Sequence, residues 1–377
     1  AGFSPLIGLQ SWVAYSGLLG MPLWIGAVSA SRPAIEPLVG YMASVQLLSS
    51  AAAGLACAAF IGRLNLRYIA LVAGLLLVFA NVFSAFAASA ATLFLMRGLS
   101  GVAEGVLLAT LNATIARTGN ADRLFAFSQT SVAVFGILFF AITPRLMETY
   151  GVFAPFFFVA VIGALFFLAL AFGSGSDAEQ ATDSSALEGT SSEARWTLAG
   201  MLALLGLGLV FVGSQSGWAF MERMGDAKGF STATIGAGLV AGQFLSLAGP
   251  VAAVWVATKL GRLPVAIIGA GLYVAVLTAA SMPIAAHFYL VAALCFQFST
   301  LFFVTGCFAW LAARDTGGKA ISAAPAAINI GGALGPGFAG WLIHSGGYPT
   351  MGAVMIVFFI LGGIVIGAAG WVRDEPA

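Results

Sequence analysis

The chain has 377 residues, 60% of them hydrophobic and 8% charged, with a formal net charge of +1. Soluble domains carry about 25% charged residues, so this composition excludes an ordinary soluble protein, and the near-neutral balance offers nothing to nucleic acid. The apolar runs are about twice as long as a strand of an outer-membrane barrel requires, which leaves an all-α polytopic membrane protein.

Apolar runs between turn residues predict twelve spans. The first six cover about 5–30, 38–60, 68–88, 91–116, 124–147 and 152–173, and the second six about 196–221, 231–257, 265–284, 288–312, 321–345 and 350–372. The first run has no basic segment ahead of it and is too long for a cleaved signal, so it reads as a spanning helix. Between the two sets, 174–195 carries Asp177, Glu179, Asp183, Glu188 and Glu193 among small polar residues, which predicts a solvated linker. The expected organisation is a six-helix bundle over 1–173, the linker, and a second six-helix bundle over 196–377.

Lysine and arginine in the loops set the orientation. With a cytoplasmic N-terminus, that side receives Arg63, Arg67, Arg117, Arg123, Arg195, Lys259, Arg262, Arg314, Lys319 and Arg373, against Arg32, Arg145, Arg223 and Lys228 opposite. Both termini are therefore expected inside, in the inner membrane of a bacterial cell. Trp24, Trp196 and Trp371 fall near predicted span ends, as an interfacial aromatic belt would place them. Cys57, Cys295 and Cys307 are odd in number and lie within apolar runs, which argues against a disulfide framework.

The halves are internally related. A shift of 196 lays Gly40 on Gly236, Gly151 on Gly347, and Arg63-Leu64-Asn65 on Lys259-Leu260-Gly261, and Arg117 meets Arg314 with a slip of one. Two parallel six-helix repeats are the simplest account.

The fourth span holds the stretch around which the functional reading turns, Arg97-Gly98-Leu99-Ser100-Gly101-Val102-Ala103-Glu104-Gly105. Arg97 and Glu104 are its only charges, almost two turns apart on nearly one face, about 10 Å along the axis. Charges at membrane depth cost several kcal/mol unless they face protein or water, so this face is expected to line a polar path. Gly98, Gly101 and Gly105 bare the backbone for close approach of a neighbouring helix or solute. The competing reading is structural: Arg97 pins a neighbouring helix and Glu104 is its buried partner.

These features resemble the major facilitator superfamily over essentially the whole chain. The fourth-helix pattern Arg-x-x-x-Gly matches Arg97 and Gly101. The family's loop signature after helix two is reduced here to Gly62-Arg63-Leu64-Asn65-Leu66-Arg67. Its copy after helix eight is reduced to Thr258-Lys259-Leu260-Gly261-Arg262, and both lack the aspartate. Arg63, Lys259 and Arg262 are then gating or anchoring residues. The glycine and proline pattern that exporters of the family carry in helix five is absent there. It stands in helix eleven as Gly331-Gly332-Ala333-Leu334-Gly335-Pro336-Gly337-Phe338-Ala339-Gly340, where helix packing by Gly335 and a bend at Pro336 are the expected roles.

The resemblance implies that helices one, four, seven and ten face a central cavity. At comparable depth these would present Tyr15 and Ser16, then Arg97 and Glu104, then Ser214, Gln215 and Trp218, and lastly Gln297 and Thr300, with Gln46 and Gln243 in related positions of helices two and eight. In proton-coupled relatives such an arginine lies near the substrate cavity and influences nearby carboxylates. Glu104 is accordingly assigned proton exchange, and Arg97 bidentate binding of a substrate carboxylate when Glu104 is protonated. Glu222 and Arg223 read as an outer gate or a solvated helix end. Phe296, Phe298, Phe302 and Phe303 read as core or lipid-facing.

No His-Glu-x-x-His, phosphate loop or Gly-x-Ser-x-Gly elbow occurs, and His287 and His344 are far apart, so neither enzyme chemistry, a metal nor a cofactor is expected. The expected partners are a small, partly apolar organic solute, protons with sodium as the alternative ion, and the bilayer, and the expected state is a monomer. The leading expectation is a proton-coupled importer working by alternating access. An exporter of lipophilic compounds, or a receptor that keeps the fold without transporting, are the alternatives.

Overall fold

The structure, a computed structural model, describes residues 5–87, 89–116, 121–151, 153–173, 197–314 and 319–372. Helices α1 (Pro5–Ser31), α2 (Val39–Phe60), α3 (Leu66–Phe86), α4 (Ala90–Ala116), α5 (Ala121–Tyr150) and α6 (Ala154–Phe172) are the first six predicted spans. Span seven is α7 (Leu198–Ala219), followed after a break at Phe220 by the short α8 (Met221–Ala227). Span eight is α9 (Thr232–Ser246) and α10 (Ala248–Leu260) together, bent by 43°. Pro250 in the first turn of α10 supplies no N–H to Ser246, which explains the bend. Spans nine and ten are α11 (Arg262–Ser281) and α12 (His287–Arg314), and α13 (Lys319–Trp371) carries the last two. They part at Gly347, whose φ of 74° and ψ of −175° no helix accommodates. The architecture is twelve transmembrane helices. Gly151, matched to Gly347 by the repeat, opens the last helix of its own half with φ 95°, the same left-handed turn.

Residue contacts divide the chain into one unit of Ala1–Leu38 with Val45–Thr190 and another of Val39–Ser44 with Ser191–Ala377. In the first, α1 is the central helix, packed on α4, α5 and α6, while α3 lies against α4 and α6. In the second, α7 lies along α13, α11 joins α12 and α13, and α12 also meets α9 and α10. The expected linker 174–195, with Arg195, Trp196, Arg117, Arg373 and the side chain of Lys319, lies outside the described residues.

The basic residues near span ends do more than mark a membrane face. Arg67 Nη2 donates to the carbonyls of Leu170 (2.9 Å) and Gly173 (3.0 Å) at the end of α6. Arg314 Nη1 reaches those of Ala369 (3.3 Å) and Gly370 (3.4 Å), and Lys228 Nζ donates to Met282 O (2.7 Å) after α11. Each cation satisfies orphan carbonyls at the negative end of a helix. Arg63, Lys259 and Arg262, the remnants of the loop signature, are exposed.

Small residues set two helix crossings. A Cβ at Gly101 would overlap the carbonyl of Gln46, and one at Gly105 that of Ser50, so α4 rests directly on the backbone of α2. Gly331 and Gly335 do the same against the carbonyls of Gly208 and Val212 in α7. The repeat-related pair in the first unit, α1 with α5, is joined instead by hydrogen bonds, Ser11 to Ser128 (2.7 Å) and Trp12 Nε1 to Ser131 O (2.8 Å). That difference accounts for the glycine pattern standing in span eleven and not in span five.

Replacing Gly101 by valine is expected to destabilise the protein by roughly 1–3 kcal/mol or more through overpacking, measured as a lower melting temperature in detergent. Gly271→Ala is the control, because a Cβ there meets nothing within 4 Å, and its melting temperature should not fall.

Candidate functional site

Arg97 and Glu104 are 2% and 3% exposed, and all their hydrogen-bond partners belong to the first unit. The guanidinium points to α3, where Nε and Nη2 donate to Ser84 Oγ (3.2 and 2.6 Å) and Nη2 also to Asn81 Oδ1 (3.1 Å). Its flat faces meet Phe156 of α6 at 4.8 Å and Trp24 of α1 at 5.7 Å from the ring centroids. Glu104 turns toward α2. Gln46 Nε2 donates to both its oxygens (2.9 and 3.2 Å), and Ser100 Oγ donates to Oε1 (2.9 Å). Asn81 Nδ2 donates to Ser100 Oγ at 3.3 Å. A continuous chain therefore runs from Arg97 through Asn81 and Ser100 to Glu104, and the two charges are coupled without a direct ion pair.

Within the first unit this face is closely packed. Between the two charges lies a small cavity of about 10 Å³, bordered by Ser16, Gly17, Trp24, Asn81, Phe139 and Phe156, room for a single water. Arg97 does not present a bidentate fork to it, since two of its nitrogens are committed to α3. The indole N–H of Trp24, beside the same cavity, is buried without a hydrogen-bond partner among the described residues. Trp24 is 3% exposed and belongs to this site, not to an interfacial belt, whereas Trp371 is 88% exposed. Gly17 makes the arrangement possible, because a Cβ there would run into Gln46 Nε2 and the Glu104 carboxylate. Ser16 Oγ donates to its own helix at Val13 O (2.9 Å), and Tyr15, half-buried, bonds Gln129 of α5.

In the second unit, the structure gathers Ser214 and Thr300 around a residue that the sequence reading passed over. Ser214 Oγ donates to Tyr273 OH (2.9 Å), whose hydroxyl donates to Thr300 Oγ1 (2.7 Å). Tyr273 is fully buried, stacked on Phe359 (4.9 Å) and edge-on to Phe296 and Phe303. Trp218 stacks on Phe296 at 5.7 Å. Phe302 is 3% exposed and Phe303 fully buried, so these are core residues. Gln215 and Gln243 are buried and each keeps one side-chain atom unpartnered, Oε1 and Nε2 respectively, while Gln297 is half-buried. Asn81, Ser84 and Tyr273 were all missed. Asn81 and Ser84 are the polar residues of the later turns of α3, three apart on one face, and that spacing was the available signal.

Glu222, on α8 beyond the end of α7, is no solvated helix end. It is 6% exposed and its Oε2 has no hydrogen-bond partner among the described residues, while its neighbour Arg223 pairs with Asp226 at 2.8 Å. Burial pushes its carboxyl up to about 7, with Arg223 opposing and Asp226 adding to the shift. A folded-state value above the ordinary one means the folded protein holds the extra proton, so stability falls as pH rises from the usual carboxylate range through about 7. Glu222→Gln should abolish that slope. Melting temperatures across the range should coincide with wild type in acid and exceed it in alkali, by an amount equivalent to at most about 3 kcal/mol.

Neither a protein-family model nor a curated protein sequence matches the chain. Solved structures do. A D-xylose-proton symporter aligns with a TM-score of 0.72 at 16% identity, over 97% of this chain and 95% of that one. The nucleoside transporter NupG aligns with a TM-score of 0.75 at 12% identity, over 98% and 99%. The xylose transporter XylE from E. coli, in a partially occluded inward-open conformation, aligns with a TM-score of 0.69 at 16% identity, over 99% of each chain. These similar proteins are transporters and not enzymes, and at such identities the likeness speaks for the fold. The chain is an integral membrane protein with the twelve-helix fold of the major facilitator superfamily.

Proposed function

We propose that the protein is a proton-coupled secondary transporter that imports a small, partly apolar organic anion by alternating access. Glu104 exchanges the proton and Arg97 provides the positive charge that the anion meets. The observation carrying this reading is the environment of Glu104: a buried carboxylate held by the neutral donors Gln46 and Ser100, with no cation in direct contact. An acid so placed changes charge at modest cost, whereas a directly paired one is locked. Gln46 reads the change, because its Oε1 is buried without a partner. Rotation of the amide would let that oxygen accept the hydroxyl of a protonated Glu104, so α2 registers what happens on α4.

Beside the cavity stand the Arg97 guanidinium and the Trp24 indole N–H, which is buried without a partner among the described residues, and both groups are donors. These donors favour a solute that brings acceptors, and the apolar remainder of the wall favours one with a hydrocarbon part. A sugar would need many more polar partners than this wall offers. The fold shared with a D-xylose-proton symporter and a nucleoside transporter supports transport as the activity. The excess of lysine and arginine in one set of loops supports cytoplasmic termini.

A thermal-shift screen of small carboxylates, amines and neutral aromatics, in acid and in alkali, should give stabilisation by carboxylates that Arg97→Ala removes. In proteoliposomes the best hit should accumulate when a pH gradient is imposed, and not when a sodium gradient is. Glu104→Gln should exchange the solute across the membrane yet fail to accumulate it. Undiminished accumulation and proton flux in Glu104→Gln would refute the coupling role, and binding without flux in the wild type would favour a receptor.

A further inference from the structure

Outside the buried site, a concave feature lies on the second unit. It is a groove of about 350 Å³ between α11 and the part of α13 that follows Gly347, floored by Gly271, Gly363 and Gly367 and walled by Ile267, Ile360 and Ile364. The three isoleucines are 42%, 48% and 61% exposed on spanning helices, so they face hydrocarbon. The lining runs from Ile267 to Val274, about 10 Å of helix. A Cβ at Gly271 would project into open space, so the hollow exists because the floor lacks side chains.

Charge collects at one end of it. Just past Gly367, Gly370 comes so close to Leu263 that a Cβ would overlap it, and the helices shut the groove there. At that point Arg314 holds the carbonyls of Ala369 and Gly370 through Nη1 alone. Its side chain is exposed, with the guanidinium over the Trp310 ring at 5.6 Å from the centroid. The same end is where α11 begins. Its N-cap, Gly261, has φ 90° and no side chain to cap the first N–H groups, and the flanking Lys259 and Arg262 are exposed. An uncapped helix N-terminus beside three cations is complementary to a phosphate.

We propose that this groove binds an anionic phospholipid, with one acyl chain along Gly271, Gly363 and Gly367 and the phosphate between Arg314 and the start of α11. The loop residues Lys259 and Arg262, which the transport mechanism leaves without a task, thereby acquire one. A second copy of the chain fits less well: in a two-fold contact the hollow would face its own image, and a hollow does not fill a hollow.

Native mass spectrometry of the full-length protein, released from nanodiscs of mixed phosphatidylglycerol and phosphatidylcholine, tests this. The wild type should retain phosphatidylglycerol in preference to phosphatidylcholine. Each of Arg314→Gln and Arg262→Gln should reduce that preference about fivefold, the effect of one cation at a membrane surface. Gly271→Leu, which fills the groove without a clash at its Cβ, should lose retention of both lipids while keeping its melting temperature. Equal retention of the two lipids by the wild type, or wild-type retention by Gly271→Leu, would overturn the proposal. So would a dimer in detergent that Gly271→Leu disperses, which would make the groove an interface between copies.

Discussion

Two opposite charges buried in one helical unit, close enough to feel each other yet not touching, set the terms for the rest of this protein. A carboxylate and a guanidinium inside a bilayer each demand polar partners, and the cheapest arrangement would be a direct pair. Here the sequence spaces them almost two turns apart and inserts Ser100 and Asn81 between them. Arg97 is satisfied by α3 and by two aromatic faces, Glu104 by α2. The charge on Glu104 can then change without stripping Arg97 of its contacts, which is what a proton carrier needs and a structural clamp does not.

The small residues serve that arrangement. Gly101 and Gly105 bring α4 onto the backbone of α2, which delivers Gln46 to Glu104, and Gly17 clears the space that both side chains occupy. The same helix face thus combines close packing with a carboxylate, so in the proposed mechanism a change of its protonation acts directly on a neighbouring helix. In the second unit the centre is organised differently. Ser214, Tyr273 and Thr300 form a neutral hydroxyl chain inside an aromatic core. The first unit thus buries a carboxylate and a guanidinium, and the second buries hydroxyls among aromatic rings.

Much of the fold could be read before any coordinate. Spans of sufficient length, the repeat joining Gly151 to Gly347 and the Arg-x-x-x-Gly pattern all rest on local rules of helix length, turn geometry and close packing. What escaped the sequence was direction. Helical spacing puts Arg97 and Glu104 on nearly one face, but a guanidinium and a carboxylate reach several ångströms from the axis and turn to different neighbours. Trp24 looked interfacial from its place near a span end, yet α1 is the central helix of its unit and the indole packs on Arg97. Tyr273 was missed because one tyrosine in an apolar helix leaves no periodic trace. Its partners come from α7 and α12, far away in the chain.

The central claim is that Glu104 gains and loses a proton while it remains inside the membrane. Infrared difference spectroscopy of the protein in bilayers, stepped from alkaline to acidic pH, observes this directly through the stretching band of a protonated carboxyl group. The account predicts that a band appears on acidification in the wild type, is missing in Glu104→Gln, and is accompanied by a change in amide side-chain absorption that Gln46→Leu removes. A spectrum of Glu104→Gln that retains the full carboxyl band would contradict it.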